Sequence, residues 1–204
     1  VKYTTMKKNI LMFAAAVALC LAVSCQSEQK NQESQPVDAL QTIAQRTSVR
    51  KYVQGKAVEQ EKVDKILRAA MAAPSGMDRR PWEFVVVNDR ALLDSLAASL
   101  SNAKMLATAP MAIVVAADTT KSEYWYLDCS AAAQNILLSA KALGLGTVWT
   151  AAYPYQDRMG IVKKYLQLPE QISPLCVIPV GYPDGSFTPK DKWDETRVHY
   201  NKWK

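Results

Sequence analysis

The chain has 204 residues, of which 49% are hydrophobic and 22% charged, and a formal net charge of +6. That length allows one domain and little more, and the composition is that of a folded protein, not a disordered one. One histidine, His199, and the absence of any Cys-x-x-Cys spacing argue against a zinc site or a histidine-based triad, and no basic helix or aromatic-basic module supports nucleic-acid binding.

The N-terminus reads as an export signal. Lys7-Lys8 precede an apolar run from Ile10 to Val23 that ends in Ser24-Cys25. A basic start, a short apolar core and a small residue before the cut describe a signal peptide, and the run is short for a membrane span. Leu21-Ala22-Val23-Ser24-Cys25 resembles a bacterial lipobox, which implies lipidation of Cys25; an ordinary signal peptide is the alternative. The expected layout is a lipoprotein signal peptide over 1–25, a polar tether over 26–37 and a folded domain over 38–204. The lipid would then be the only membrane attachment, to the bacterial cell envelope. Gln26 carries no inner-membrane retention signal of the Asp type, so the outer membrane is the preferred destination.

Within the domain, Val37, Leu40, Ile43 and Ala44 fit one face of a short helix. Val63, Ile66, Leu67 and Ala70 fit another over Glu59 to Ala72, stopped by Pro74. Trp82 to Val87 is aromatic and β-branched, hence a strand. Asp89 is placed to cap a helix running to Leu100. A short helix around Lys104 to Thr108 and a buried strand over Met111 to Ala117 follow. Tyr124 to Leu143 is the longest helical pattern, and its small residues predict a central helix packed closely on two sides. Gly144 to Gly146 ends it. Thr147 to Ala152 reads as one strand, Asp157 to Leu166 as a helix and Leu175 to Gly181 as a fourth strand. Cys129 and Cys176 fall in helical and strand patterns and are expected as buried, unpaired thiols. The Pro-rich, charged tail from Tyr182 carries Trp193, Tyr200 and Trp203, aromatics that predict docking on something. Helices and strands intermix as in an α+β domain with helices around one sheet.

Four short stretches bear chemistry. Alternation along Arg46-Thr47-Ser48-Val49-Arg50 can aim Arg46, Ser48 and Arg50 to one side. Ala73-Pro74-Ser75-Gly76-Met77-Asp78-Arg79-Arg80-Pro81-Trp82 is a proline-stiffened turn, where Gly76 permits unusual backbone angles. Gly144-Leu145-Gly146 leads into Thr147 to Ala152. Pro189-Lys190-Asp191-Lys192 adds late cations. In this order they resemble the FMN-binding framework of the nitroreductase family, over about Leu40 to Lys192.

The resemblance implies an α+β, nitroreductase-like fold with helices around a central, mostly antiparallel sheet, and a C-terminal tail exchanged with the partner subunit of a homodimer. It implies that Arg46, Thr47, Ser48, Arg50, Lys190 and Lys192 grip the FMN phosphate and ribityl chain, with Arg50 reaching the ring edge. Trp149, Thr150, Ala151 and Ala152 would line the ring. Asp78 falls where the family has an Asn, and Arg80 where it has a Gln. An uncompensated anion at Asp78 would disfavour flavin reduction, so Arg79 or Arg80 is expected to neutralise it. The implied activity is ping-pong transfer of hydride from NADH or NADPH, through FMN, to a small electron-poor acceptor such as a nitroaromatic or a quinone. No catalytic side chain is required. Alternatives on the same scaffold are an ene-reductase or dehalogenase type of flavin enzyme, or an exported flavin-binding lipoprotein without turnover.

Overall fold

The computed structural model describes residues 38–203; the expected signal peptide and the expected tether lie outside them. Among the described residues five α-helices surround one sheet. The helices are α1 (Ala39–Gln45), α2 (Gln60–Met71), α3 (Arg90–Ser99), α4 (Trp125–Ala142) and α5 (Gln156–Leu166). The strands are β1 (Trp82–Val87), β2 (Met111–Asp118), β3 (Gly146–Thr147), β4 (Thr150–Ala151) and β5 (Ile172–Gly181). Local signals account for several boundaries. Asp38 caps α1 by accepting from the Leu40 N–H at 3.0 Å, and Asp89 caps α3 through the Leu92 N–H at 2.8 Å. Gly144, at φ 76°, closes α4 in the left-handed region where glycine carries no penalty.

The sheet is antiparallel throughout, ordered β1-β2-β5-β3, with β4 also paired to β5. Side chains alternate across it with period two. Ile113, Val115 and Ala117 of β2 join Cys176, Ile178 and Val180 of β5 in one core, which also holds Ile66 of α2 and Ile136 of α4. Ala112, Val114 and Val177 point the other way, into a core with Leu93 and Leu96 of α3 and Val162 of α5.

Three expectations need correcting or refining. The strand read over Thr147 to Ala152 is two short pieces. They share one register on β5, Thr147 facing Val180 and Thr150 facing Val177. In that register Pro179 stands opposite Val148, and proline has no N–H to complete the ladder there. Second, α4 packs on the sheet and on α2 but is not buried all round. Cys129, Ala132, Ala133, Ile136, Leu137 and Ala140 form one buried stripe, while Leu127 and Gln134 are exposed. Third, Gly76 does not supply the unusual backbone of its turn; its neighbours do, as described below. Cys129 and Cys176 are both buried and free, as expected. The Cys129 thiol donates to the Ala116 carbonyl at 3.3 Å, and burial pushes its pKa up to about 12.

Candidate functional site

The segment after α1 is held as an added edge of the sheet. Ser48 bridges Thr147 in parallel, and the Val49 N–H donates to the Thr147 carbonyl at 2.9 Å. Further on, Tyr52 bridges Pro183 and the Val53 N–H donates to the Tyr182 carbonyl at 2.9 Å. Val49 and Tyr52 turn inward and are buried. The Tyr52 hydroxyl donates to the Val49 carbonyl at 2.8 Å, and burial, opposed in part by the Arg50 charge, holds its pKa well above the ordinary phenol value. Gly146 makes this contact possible by proximity: a Cβ there would lie 2.7 Å from Val49 Cγ1.

With Val49 inward, Arg46, Thr47, Ser48 and Arg50 line an open cleft of about 1080 Å³. Trp149, Lys190 and Lys192 line it too, the last two brought from 140 or more residues along the chain. Among the described residues, Arg46, Arg50, Lys190 and Lys192 form no ion pair. Arg50 also faces a second hollow of about 740 Å³, with Lys51, Gln54 and Lys104.

Other expected site residues lie elsewhere. Thr150 is buried, and its Oγ1 donates to the Val177 carbonyl at 2.6 Å. The Ala151 carbonyl accepts from Asn102 Nδ2 at 3.0 Å and from Arg158 at 3.5 Å. Ala152 sits in the second core. None of the three lines the cleft. Conversely, the cleft includes Ile43, Ala44, Gln134 and Leu137, which sequence reasoning did not select. Gln134 and Leu137 share an i, i+3 face of α4, and a polar residue among alanines and leucines was the available signal.

Asp78 and Arg80 occupy the turn between α2 and β1, outside the cleft lining. Arg80 Nε donates to Asp78 Oδ1 at 2.7 Å while Arg80 Nη2 contacts Asp78 Oδ2, a two-pronged pair. The hydrogen bonds and charge of Arg80 hold the Asp78 carboxyl below its ordinary pKa. Asp78 is therefore a compensated anion, and Arg80 is the compensating cation. Arg79 turns instead to the Lys121 carbonyl at 3.4 Å. Met77, Asp78 and Arg80 adopt φ of 52°, 54° and 46°. Each non-glycine residue held there costs about 1–3 kcal/mol, and such residues gather at functional sites.

A family model described as "Nitroreductase family" matches residues 43–104 and 96–182. A protein of Methanothermobacter thermautotrophicus named "Putative NADH dehydrogenase/NAD(P)H nitroreductase" is 43% identical over 82% of this chain and 88% of its own length. A crystal structure of a Bacteroides thetaiotaomicron protein with the same name is 63% identical, spans 81% of this chain and 98% of the other, and superposes with a TM-score of 0.80. The structure of an FMN-dependent nitroreductase from Clostridium difficile is 35% identical, with coverage of 80% and 99% and a TM-score of 0.77. With a relative this similar over most of both chains, this protein belongs to the nitroreductase family.

Proposed function

We propose that the protein is an FMN-dependent NAD(P)H oxidoreductase that reduces electron-poor acceptors such as nitroaromatics or quinones in two half-reactions. The observation that carries this reading is the convergence of four cations without ion-pair partners among the described residues, Arg46, Arg50, Lys190 and Lys192, on one cleft beside Trp149. These residues fit the cofactor. The cations and the Ser48 hydroxyl suit a phosphate. Trp149 and Leu137 suit a flat apolar ring, and the cleft volume is near the upper end of small-molecule sites, about 300–1,000 Å³. FMN, when bound, supplies hydride acceptance and donation at its N5. The chain's own residues bind and orient it, and Arg50 stabilises negative charge developing on the ring edge.

The reading extends to assembly and location. Trp193 and Trp203 are 75% and 86% exposed in the single chain. An exposure of that size on large aromatics fits a tail that covers a second copy, and a homodimer is proposed. Lipid anchoring through Cys25 is proposed from the lipobox alone, and Cys25→Ser should release the protein from membranes; continued association refutes the anchor.

The test of activity is an anaerobic absorbance titration of the FMN-reconstituted protein with NADH and with NADPH. Stoichiometric bleaching of the flavin band is expected, and the two titrations rank the reductants. Bound flavin that no reductant bleaches would indicate a flavin-binding protein without turnover, and failure to bind FMN would overturn the reading.

A further inference from the structure

The turn between α2 and β1 is held by a carboxylate that lies outside the cleft. Three left-handed, non-glycine residues within four positions, Met77, Asp78 and Arg80, persist only where the surroundings over-determine them. Here α4 does so. Asp128, in the first turn of that helix, is only 5% exposed. Its Oδ1 accepts from the Gly76 N–H at 2.8 Å and its Oδ2 from the Ser122 hydroxyl at 2.9 Å. Ser122 Oγ in turn accepts from the Tyr124 N–H at 3.1 Å. Tyr124 also presses on the turn: a Cβ on Gly76 would lie 3.1 Å from its Cδ2. A buried carboxylate needs such bonds to be stable. Two donors point at it, and an asparagine has only one acceptor oxygen to offer them.

What hangs from this anchor is the exposed Asp78–Arg80 fork. Surface ion pairs contribute little to stability, so the strain of the turn is not explained by that pair as a folding device. The fork has both a donor and an acceptor to present. Arg80 commits Nε and Nη2 to Asp78, while its Nη1 makes no hydrogen bond among the described residues. The second N–H of Nη2 lies beside the outer lone pair of the Asp78 oxygen that Nη2 already binds. Donor next to acceptor is the complement of an imide edge, an N–H flanked by carbonyls. The helix that anchors the turn also lines the cleft further along, through Gln134 and Leu137.

We propose that Asp128 is a positioning residue, which fixes the 75–80 turn, and with it the Asp78–Arg80 fork, relative to the α4 face that lines the cleft, so that the fork meets the bound ligand. The proposal rests on the reading of that cleft as an FMN site. It assigns Asp128 no contact with the ligand; its effect passes through the Gly76 N–H.

The test uses the full chain and the variants Asp128→Ala, Asp128→Asn and Asp78→Ala, with Asp128→Ala also placed in the Asp78→Ala background. Three quantities are read: FMN affinity by fluorescence titration, the potential of the bound flavin by dye equilibration, and hydrogen exchange of the 76–80 amides in FMN-free protein. Asp128→Ala should speed that exchange, weaken FMN by about tenfold, the worth of one hydrogen bond, and shift the potential. Asp128→Asn should do the same to a smaller extent. In the Asp78→Ala background, Asp128→Ala should leave affinity and potential where Asp78→Ala put them, while still lowering the melting temperature. A lower melting temperature with affinity and potential unchanged, or effects fully additive with Asp78→Ala, would reduce Asp128 to a structural residue and overturn the proposal. If Asp128→Ala does not fold, Asp128→Asn and Ser122→Ala carry the same comparison. If Asp78→Ala changes neither quantity, the fork does not meet the ligand and the proposal falls, while FMN binding by the cleft stands. If the unaltered chain binds no FMN, the reading of the cleft itself has failed.

Discussion

The segment 46–50 and the turn 75–80 each carry two arginines and a serine, yet use them in opposite ways. In the first, the backbone is tied to β3 and Val49 is driven into the core, which leaves Arg46 and Arg50 facing a cleft without partners among the described residues. In the second, Arg80 turns back on Asp78 and the Arg80 N–H donates to the Ser75 hydroxyl at 3.1 Å, so charge is spent within the turn. One region leaves its cations open on relaxed, extended backbone. The other is a neutral fork on left-handed backbone. Binding strength should therefore reside in the first and tuning of the bound ring in the second.

The largest effect should follow from removing a free cation. Each charge-assisted hydrogen bond contributes about 1.5–3 kcal/mol, so Arg50→Ala should weaken FMN roughly ten- to a hundredfold and slow its reduction. A fluorescence titration and a stopped-flow trace check this. Flavin affinity and rate equal to those of the unaltered chain would remove Arg50 from the site and erase the contrast between the regions.

Gly146→Ala tests how the first region is built rather than what it binds. The added methyl would meet Val49 at 2.7–2.9 Å from three of its carbon atoms, and a β-branched side chain has little freedom to step aside. Overpacking of this kind costs about 1–3 kcal/mol. The melting temperature should drop by several degrees, and FMN affinity should weaken with it, because the ladder that aims Arg46 and Arg50 runs through Thr147. A melting temperature that falls while affinity holds would show that the cations are placed by something other than this edge.

Much of this arrangement was legible in the chain, and the exceptions share a cause. The alternation that turns Val49 inward and its arginines outward is local, as are the Asp89 cap and the Gly144 stop. What was not legible depends on residues far away. The break in the strand after Thr147 comes from Pro179 on the facing strand. The carboxylate anchor joins Gly76 to Asp128 across 52 positions, and a buried aspartate in a helix looks in sequence like any first-turn acid. The antiparallel order of the strands came from the family resemblance and not from periodicity, which cannot state which strand is whose neighbour. Gly76 shows the limit of a residue-type rule. Its freedom of φ was the obvious use, but its small size against Tyr124 is the use the fold makes of it.

The smallest effect concerns the second region and reads the sign of its charge. Asp78 is a carboxyl whose folded pKa is depressed, first by its hydrogen bonds with Arg80. Its pairing is therefore complete above the ordinary carboxylate range, about 4, and is lost only as pH falls below that range through the depressed value. Both side chains are largely exposed, so the loss should barely register in thermal melts. It should register on the flavin. Arg80→Gln leaves the anion uncompensated, which should make reduction of FMN harder at neutral pH and move the Asp78 titration up toward the ordinary range. Adding Asp78→Asn to Arg80→Gln removes the anion as well and should return the potential most of the way to its starting value. Carboxyl NMR titration of the FMN-free variants and dye-equilibrated potentials of the loaded ones check the two halves independently. A potential that stays lowered in the double variant would mean that the Arg80 cation acts directly on the ring, and the turn would then be a second cationic region rather than a neutral one.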